Sequence, residues 1–150
     1  MKRIARNKGI RSAAKIKNPD VLYPKLSYEI VGAMIKVWKE LGSGFKESIY
    51  QKALCEELRS REIPFESQKN FPILYSGKEV GRYIPDFLVD DKILIEIKHL
   101  PRLTFNENKQ AWYYLKGTQY KLLLLVNFGG SKLEIRRRIY DKARVRNDSQ

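Results

Sequence analysis

Ile84-Pro85-Asp86-Phe87-Leu88-Val89-Asp90-Asp91-Lys92-Ile93-Leu94-Ile95-Glu96-Ile97-Lys98-His99 carries two signals at once. From Lys92 to Lys98 the residues alternate. Ile93, Ile95 and Ile97 point one way; Lys92, Leu94, Glu96 and Lys98 point the other, which is the period of a strand. Glu96 and Lys98 therefore share a face beside Leu94. A carboxylate and an ammonium group on a hydrophobic strand are costly to desolvate unless paired or bound to something. Gly81 to Val89 reads as a preceding strand, and a tight Asp90-Asp91 turn would fold it back so that Asp86 lies beside Glu96. Neighbouring carboxylates repel and raise each other's pKa unless a cation lies between them. Two oxygen donors and an adjacent Lys suit a hard divalent ion next to a phosphate.

The spacing Pro85-Asp86, nine residues, Glu96-Ile97-Lys98 resembles the PD-(D/E)XK nuclease superfamily. Gly44-Phe45-Lys46-Glu47-Ser48-Ile49-Tyr50 looks like the signature of its GxxExxY branch. The resemblance covers roughly Leu26 to Tyr140. It implies a metal-dependent nuclease acting on DNA, with Mg²⁺ or Mn²⁺ held by Asp86, Glu96, Glu47 and the Ile97 backbone carbonyl. Glu47, Asp86, Glu96, Lys98 and Gln110 would form the catalytic set. The superfamily often carries a His three residues before the Gln; this chain has Glu107 there. The other reading is a module that keeps the fold and binds nucleic acid or a protein without cutting.

Composition narrows the class. At 150 residues and 43% hydrophobic, the chain suits one domain with a real core. Leu122–Val126 is its longest run of aliphatic residues, far short of the ~20 residues of a membrane span. The basic N-terminus lacks the apolar stretch of a secretory signal, so a soluble, cytoplasmic protein without membrane contact is expected. A single cysteine, Cys55, excludes an internal disulfide and a thiolate zinc cluster, and reads as a bystander thiol. Net charge is +13, and seven of the cations (Lys2, Arg3, Arg6, Lys8, Arg11, Lys15, Lys17) fall in the first twenty residues. Such a balance fits a polyanion, nucleic acid before an anionic membrane. His99, the only histidine, follows the motif and is assigned with the basic arm to nucleic-acid contact.

Three segments follow: a basic arm at 1–24, a nuclease-like domain at 25–141 and a polar tail at 142–150. Ser27–Leu41 carries an apolar stripe of helical period and ends at Gly42, a residue that accepts the left-handed backbone of a C-terminal cap. Lys46–Arg61 reads as a second helix, with Tyr50, Leu54 and Leu58 inward and Glu47 at the head of that stripe. Glu47 suits either the positive end of the helix dipole or a site. Glu62–Asn70 reads as a polar connection. Phe71–Tyr75 and Glu79–Val89 read as strands joined by Ser76-Gly77-Lys78, forming an antiparallel meander with Lys92–Lys98. Thr104–Lys116 is a helix capped by Thr104, placing Gln110 on the face of Ala111, Tyr114 and Leu115. There it would be a satisfied core amide or a site residue. Leu122–Val126 should be buried on both faces. Lys132–Ile139 should be an edge strand with Leu133, Ile135 and Ile139 inward and Glu134, Arg136 and Arg138 outward. Trp112, Tyr113, Tyr114 and Tyr120 suit packing, base stacking or a homodimer or partner surface. The order implies an α/β fold, a restriction-endonuclease-like mixed sheet flanked by helices, with an αβββαβ core and one extra N-terminal helix.

Overall fold

The computed structural model describes residues 22–141. The seven arm cations assigned to nucleic-acid contact lie outside them, as does the polar tail at 142–150. The chain divides into two compact units, Met1–Gly32 and Ala33–Gln150. The described part of the first is the opening of helix α1 (Pro24–Leu41), where Ser27 N donates to Tyr23 O at 2.8 Å. The second unit holds α2 (Glu47–Ser60), α3 (Phe105–Lys116) and seven strands among the described residues.

These strands are β1 (Phe65–Ser67), β2 (Phe71–Tyr75), β3 (Lys78–Tyr83), β4 (Phe87–Val89), β5 (Ile93–Lys98), β6 (Leu122–Asn127) and β7 (Glu134–Ile139). Five form one mixed sheet in the order β1-β4-β5-β6-β7. Only the β5–β6 pair is parallel, as the α3 crossover between those strands requires. The Asp90-Asp91 turn forms as expected, with both residues at φ 51° and Lys92 N donating to Val89 O at 3.0 Å. Its Asp91 carboxylate accepts a bond from the Tyr120 hydroxyl at 2.6 Å.

One expectation needs correction. Glu79–Val89 is not a single strand. It breaks at Ile84–Asp86 into β3 and β4, and the halves belong to different sheets, since β2 and β3 form a separate two-stranded hairpin. Pro85 has no N–H to give a ladder, so pairing cannot run through it unbroken. The place beside β4 falls instead to β1, three residues from the segment read as a polar connection.

The sheet is covered on both faces. Leu94, Leu123 and Leu125 pack with Ala111 and Leu115 of α3, while α2 lies against β5. Every residue of β6 is buried, the all-apolar run read from the sequence plus Asn127. Edge strand β7 departs from its expected alternation. Ile139 is 36% exposed, whereas the Glu134 carboxylate turns inward and accepts from Asn127 Nδ2 and Leu103 N, both at 2.9 Å. No helix among the described residues is long and apolar enough to cross a membrane.

The turn after β6 is fitted closely to the chain after β5. A Cβ on Gly129 would lie 2.5 Å from Leu100 N and 2.7 Å from His99 C. Both are backbone atoms, so a side chain there must displace a whole segment rather than a rotamer. Gly129→Ala is expected to cost about 1–3 kcal/mol, as overpacking does. Urea melts check this, and a loss below about 0.5 kcal/mol, the range of ordinary surface changes, would contradict it.

Candidate functional site

The end of β5 presents Glu96 and Lys98, half-buried, on the α3 side of the sheet. Asp86 enters from the break between β3 and β4. Its Oδ2 accepts from Ile97 N at 2.7 Å, and its Oδ1 lies 3.5 Å from Gln68 Nε2. The irregular backbone at Pro85 thus turns Asp86 toward β5 instead of spending it on strand pairing. Burial raises the Asp86 pKa; the Ile97 bond opposes it, the Glu47 charge adds to it and Lys98 lowers it. Glu96 is pushed up to about 7, first by burial and then by the Asp86 charge, with the Tyr83 hydroxyl and Lys98 pulling the other way. Each of these two carboxylates thus also senses Glu47 and Lys98.

Glu47 is the first residue of α2 and is exposed at the rim. The segment before it is held by three features. Gly44 has φ +119°, a backbone that side chains rarely allow. The Tyr50 hydroxyl donates to Gly42 O and accepts from Phe45 N. The Tyr50 ring stacks on Phe128 at 4.5 Å and 8°. Gly44, Glu47 and Tyr50 therefore act together: a permissive turn, an acidic side chain at a helix start, and a phenol that ties the turn to the core.

Gln110 departs from its expected place. It is exposed rather than on the inner face, where Ala111 and Leu115 are buried, and it lines a cleft with Glu96 and Lys98. The cleft has a volume of about 240 Å³. Glu107 also lines it, but its Oε1 accepts from Thr104 N and Oγ1 at 2.6 and 2.8 Å, completing a capping box at the start of α3. Those bonds hold its carboxyl below the usual range. His99 turns away from this constellation, stacked on Tyr50 at 6.1 Å, with Nε2 enclosed and unpartnered.

Two cleft residues were not singled out from the sequence, Arg82 and Tyr83. The Tyr83 hydroxyl is buried without a partner in full hydrogen-bond geometry, yet it lies near enough to Glu96 to lower that carboxyl's pKa. Burial, followed by the Glu96 charge, raises the phenol's own pKa strongly, so it remains a donor. Its ring stacks on Tyr114 at 4.4 Å and 6°. A tyrosine ending a strand reads as core packing, and only the tertiary approach to Glu96 reveals more. The other aromatics mostly pack. Trp112 lies edge-on to Tyr140 and Tyr120 is buried, while Tyr113 is 55% exposed. Cys55 is half-buried and burial raises its thiol pKa, as a bystander's should be.

Among the described residues, no three Asp, Glu, His or Cys side chains gather closely enough to hold a metal ion together. Two half-buried carboxylates, each raised in pKa first by burial, fit a hard cation, since Mg²⁺ commonly takes one or two carboxylates and keeps several waters.

Comparison with known proteins adds a family. Residues 24–138 match the model of the PD-(D/E)XK nuclease superfamily. No curated protein matches the chain. The crystal structure of SSO0001 aligns over 95% of this chain and 68% of its own, at 17% identity and a TM-score of 0.46.

Proposed function

The chain belongs to the PD-(D/E)XK nuclease superfamily, and from that premise we propose that it is a metal-dependent nuclease hydrolysing phosphodiester bonds in DNA. We assign it to the GxxExxY branch, on the Gly44 turn, Glu47 and the Tyr50 tie described above. The observation that carries the proposal is the convergence of Asp86, Glu96 and Lys98, with both carboxylates raised in pKa. Packing alone would favour apolar residues there; a site for a cation and a phosphate accounts for these charges.

Mg²⁺ or Mn²⁺ would be held by Asp86 and Glu96, the Ile97 carbonyl and waters, with Glu47 acting through water; when bound, it supplies Lewis-acid polarisation of the phosphoryl oxygen. The chain's own residues do the rest. Lys98 donates from its ammonium to the attacking water and to the oxygens that gain negative charge, where a fixed donor is worth most. The Ile97 N–H and Gln68 orient the Asp86 carboxylate. Gln110, at the cleft wall, offers an amide to a substrate phosphate or water. The net charge of +13 favours nucleic acid over a small phosphate compound.

The test supplies purified protein with plasmid and single-stranded DNA, in Mg²⁺, Mn²⁺ or chelator. Metal-dependent nicking is expected, falling about 10²–10³-fold in Lys98→Ala while binding in chelator persists. Salt-sensitive binding with no cutting under any metal would overturn it and favour the non-cleaving module.

A further inference from the structure

The cleft has an asymmetric charge pattern that the catalytic set does not use. One wall comes from the end of β3, with Arg82, Tyr83 and Ile84; α3 supplies the facing wall, with Gln110 and Tyr114. Arg82 therefore projects from the two-stranded hairpin, not from the main sheet. Its backbone position is nevertheless fixed. Next in the chain is Tyr83, buried and stacked on Tyr114, and Phe71 on the partner strand packs against the same ring at 6.4 Å. A long cationic side chain on an anchored strand end, at the mouth of a cleft whose floor holds Lys98, is positioned for an anion entering that cleft.

Arg82 has an anion already. Its Nη2 lies 2.9 Å from Glu79 Oε2, three residues earlier on the same strand. Both side chains are open to water, at 57% and 44% exposure. A pair this exposed contributes little to stability, about 0–1 kcal/mol. It is thus readily exchanged for a stronger partner. A phosphodiester offers the guanidinium fork two oxygens in the geometry it matches best.

Resting on the nuclease reading above, we propose that Arg82 is a substrate-binding residue that grips a backbone phosphate of the nucleic acid lying in the cleft. Glu79 is its resident competitor, which holds the guanidinium until a phosphate displaces it. The hairpin is then a substrate-holding arm of the site, not an appendage of the sheet.

The test uses the full chain and a short DNA duplex, with binding measured in chelator across a salt series and nicking measured separately with Mg²⁺. Arg82→Ala should weaken binding about 5- to 30-fold and lower the slope of log K against log salt by about 1, as loss of one phosphate contact does. Arg82→Lys should recover part of the affinity, since charge returns without the fork. Glu79→Gln should tighten binding about 2- to 5-fold, because the competitor is gone while the cation stays. Arg59→Ala is the charge control. Arg59 pairs with Glu56 on α2 and does not line the cleft. Arg82→Ala indistinguishable from Arg59→Ala, or Glu79→Gln that fails to tighten, overturns the proposal. If wild type binds and nicks in that case, the nuclease reading survives. A wild type that binds no duplex at about 50 mM salt overturns both.

Discussion

Replacing Glu96 by Gln should make the metal-free protein more stable at pH 8, by about 1–3 kcal/mol, while reducing nicking about 10²–10³-fold. The two effects have one cause. In the folded chain the Glu96 carboxyl has its pKa pushed from 4.5 to about 7, because burial and the Asp86 charge oppose its ionisation. In the unfolded chain it returns to the ordinary range. Between these values the folded state binds more protons than the unfolded one. Stability therefore falls as pH rises from about 4.5 through about 7, and is level above that. A displacement of that size corresponds to at most roughly 3 kcal/mol. A neutral amide in the same place never ionises, so the variant escapes the loss.

The advantage should be pH-dependent. At pH 5 the wild-type carboxyl is largely protonated and the two proteins should be nearly equal; at pH 8 the gap should be open. Mg²⁺ should narrow it, by binding the ionised wild-type site and stabilising the folded state by mass action. Urea melts of both proteins at the two pH values, in chelator and then in Mg²⁺, give the four comparisons needed. An equal gap at pH 5 and pH 8 would mean that packing, not the charge, separates the variants.

The part of this site that was legible in the sequence is the part encoded locally. The alternation of Lys92–Lys98 placed Glu96 and Lys98 on one face, and strand β5 follows it. The Asp90-Asp91 turn, the Thr104 cap and the Gly42 helix end are each written in one to three residues, and each is present. What was not legible depends on distant partners. Gly81–Val89 looks continuous because apolar residues persist through it; Pro85 was the visible hint that one ladder could not run its length. Three-residue β1 is too short to show a period. Gln110 follows Ala111 by helical phase only if the buried face is wide, and α3 buries a narrow one. Arg82 and Tyr83 alternate on a strand like any polar–apolar pair, and nothing local reports that α3 closes a cleft over them.

The same limit hid Glu134, whose inward turn underlies the largest stability effect expected here. Asn127 ends β6 fully buried, and all its bonding capacity is used. Its Oδ1 accepts from Leu100 N at 2.8 Å and Gly129 N at 3.1 Å; its Nδ2 donates to Leu100 O at 3.0 Å and Glu134 Oε1 at 2.9 Å. Glu134 accepts in turn from Leu103 N, and the Asn127 bond holds its carboxyl below the usual range. One amide thus fixes the chain from Leu100 to Leu103, the link between Lys98 and the start of α3. Asn127→Leu keeps the volume but strands two N–H groups and a carbonyl in the interior and removes a donor from a carboxylate. At about 1–3 kcal/mol for each unsatisfied group, with partial relief by local shifts, the expected cost is about 3–5 kcal/mol. Glu134→Gln leaves the Asn127 bonds to Leu100 and Gly129 in place and should cost about 1–2 kcal/mol. Native-state hydrogen exchange should quicken at the Leu100 and Leu103 amides in Asn127→Leu, and at Leu103 alone in Glu134→Gln. A loss below about 1 kcal/mol in Asn127→Leu would show that the link is held by packing of Phe128 and Leu103, and that the amide only fills space between them.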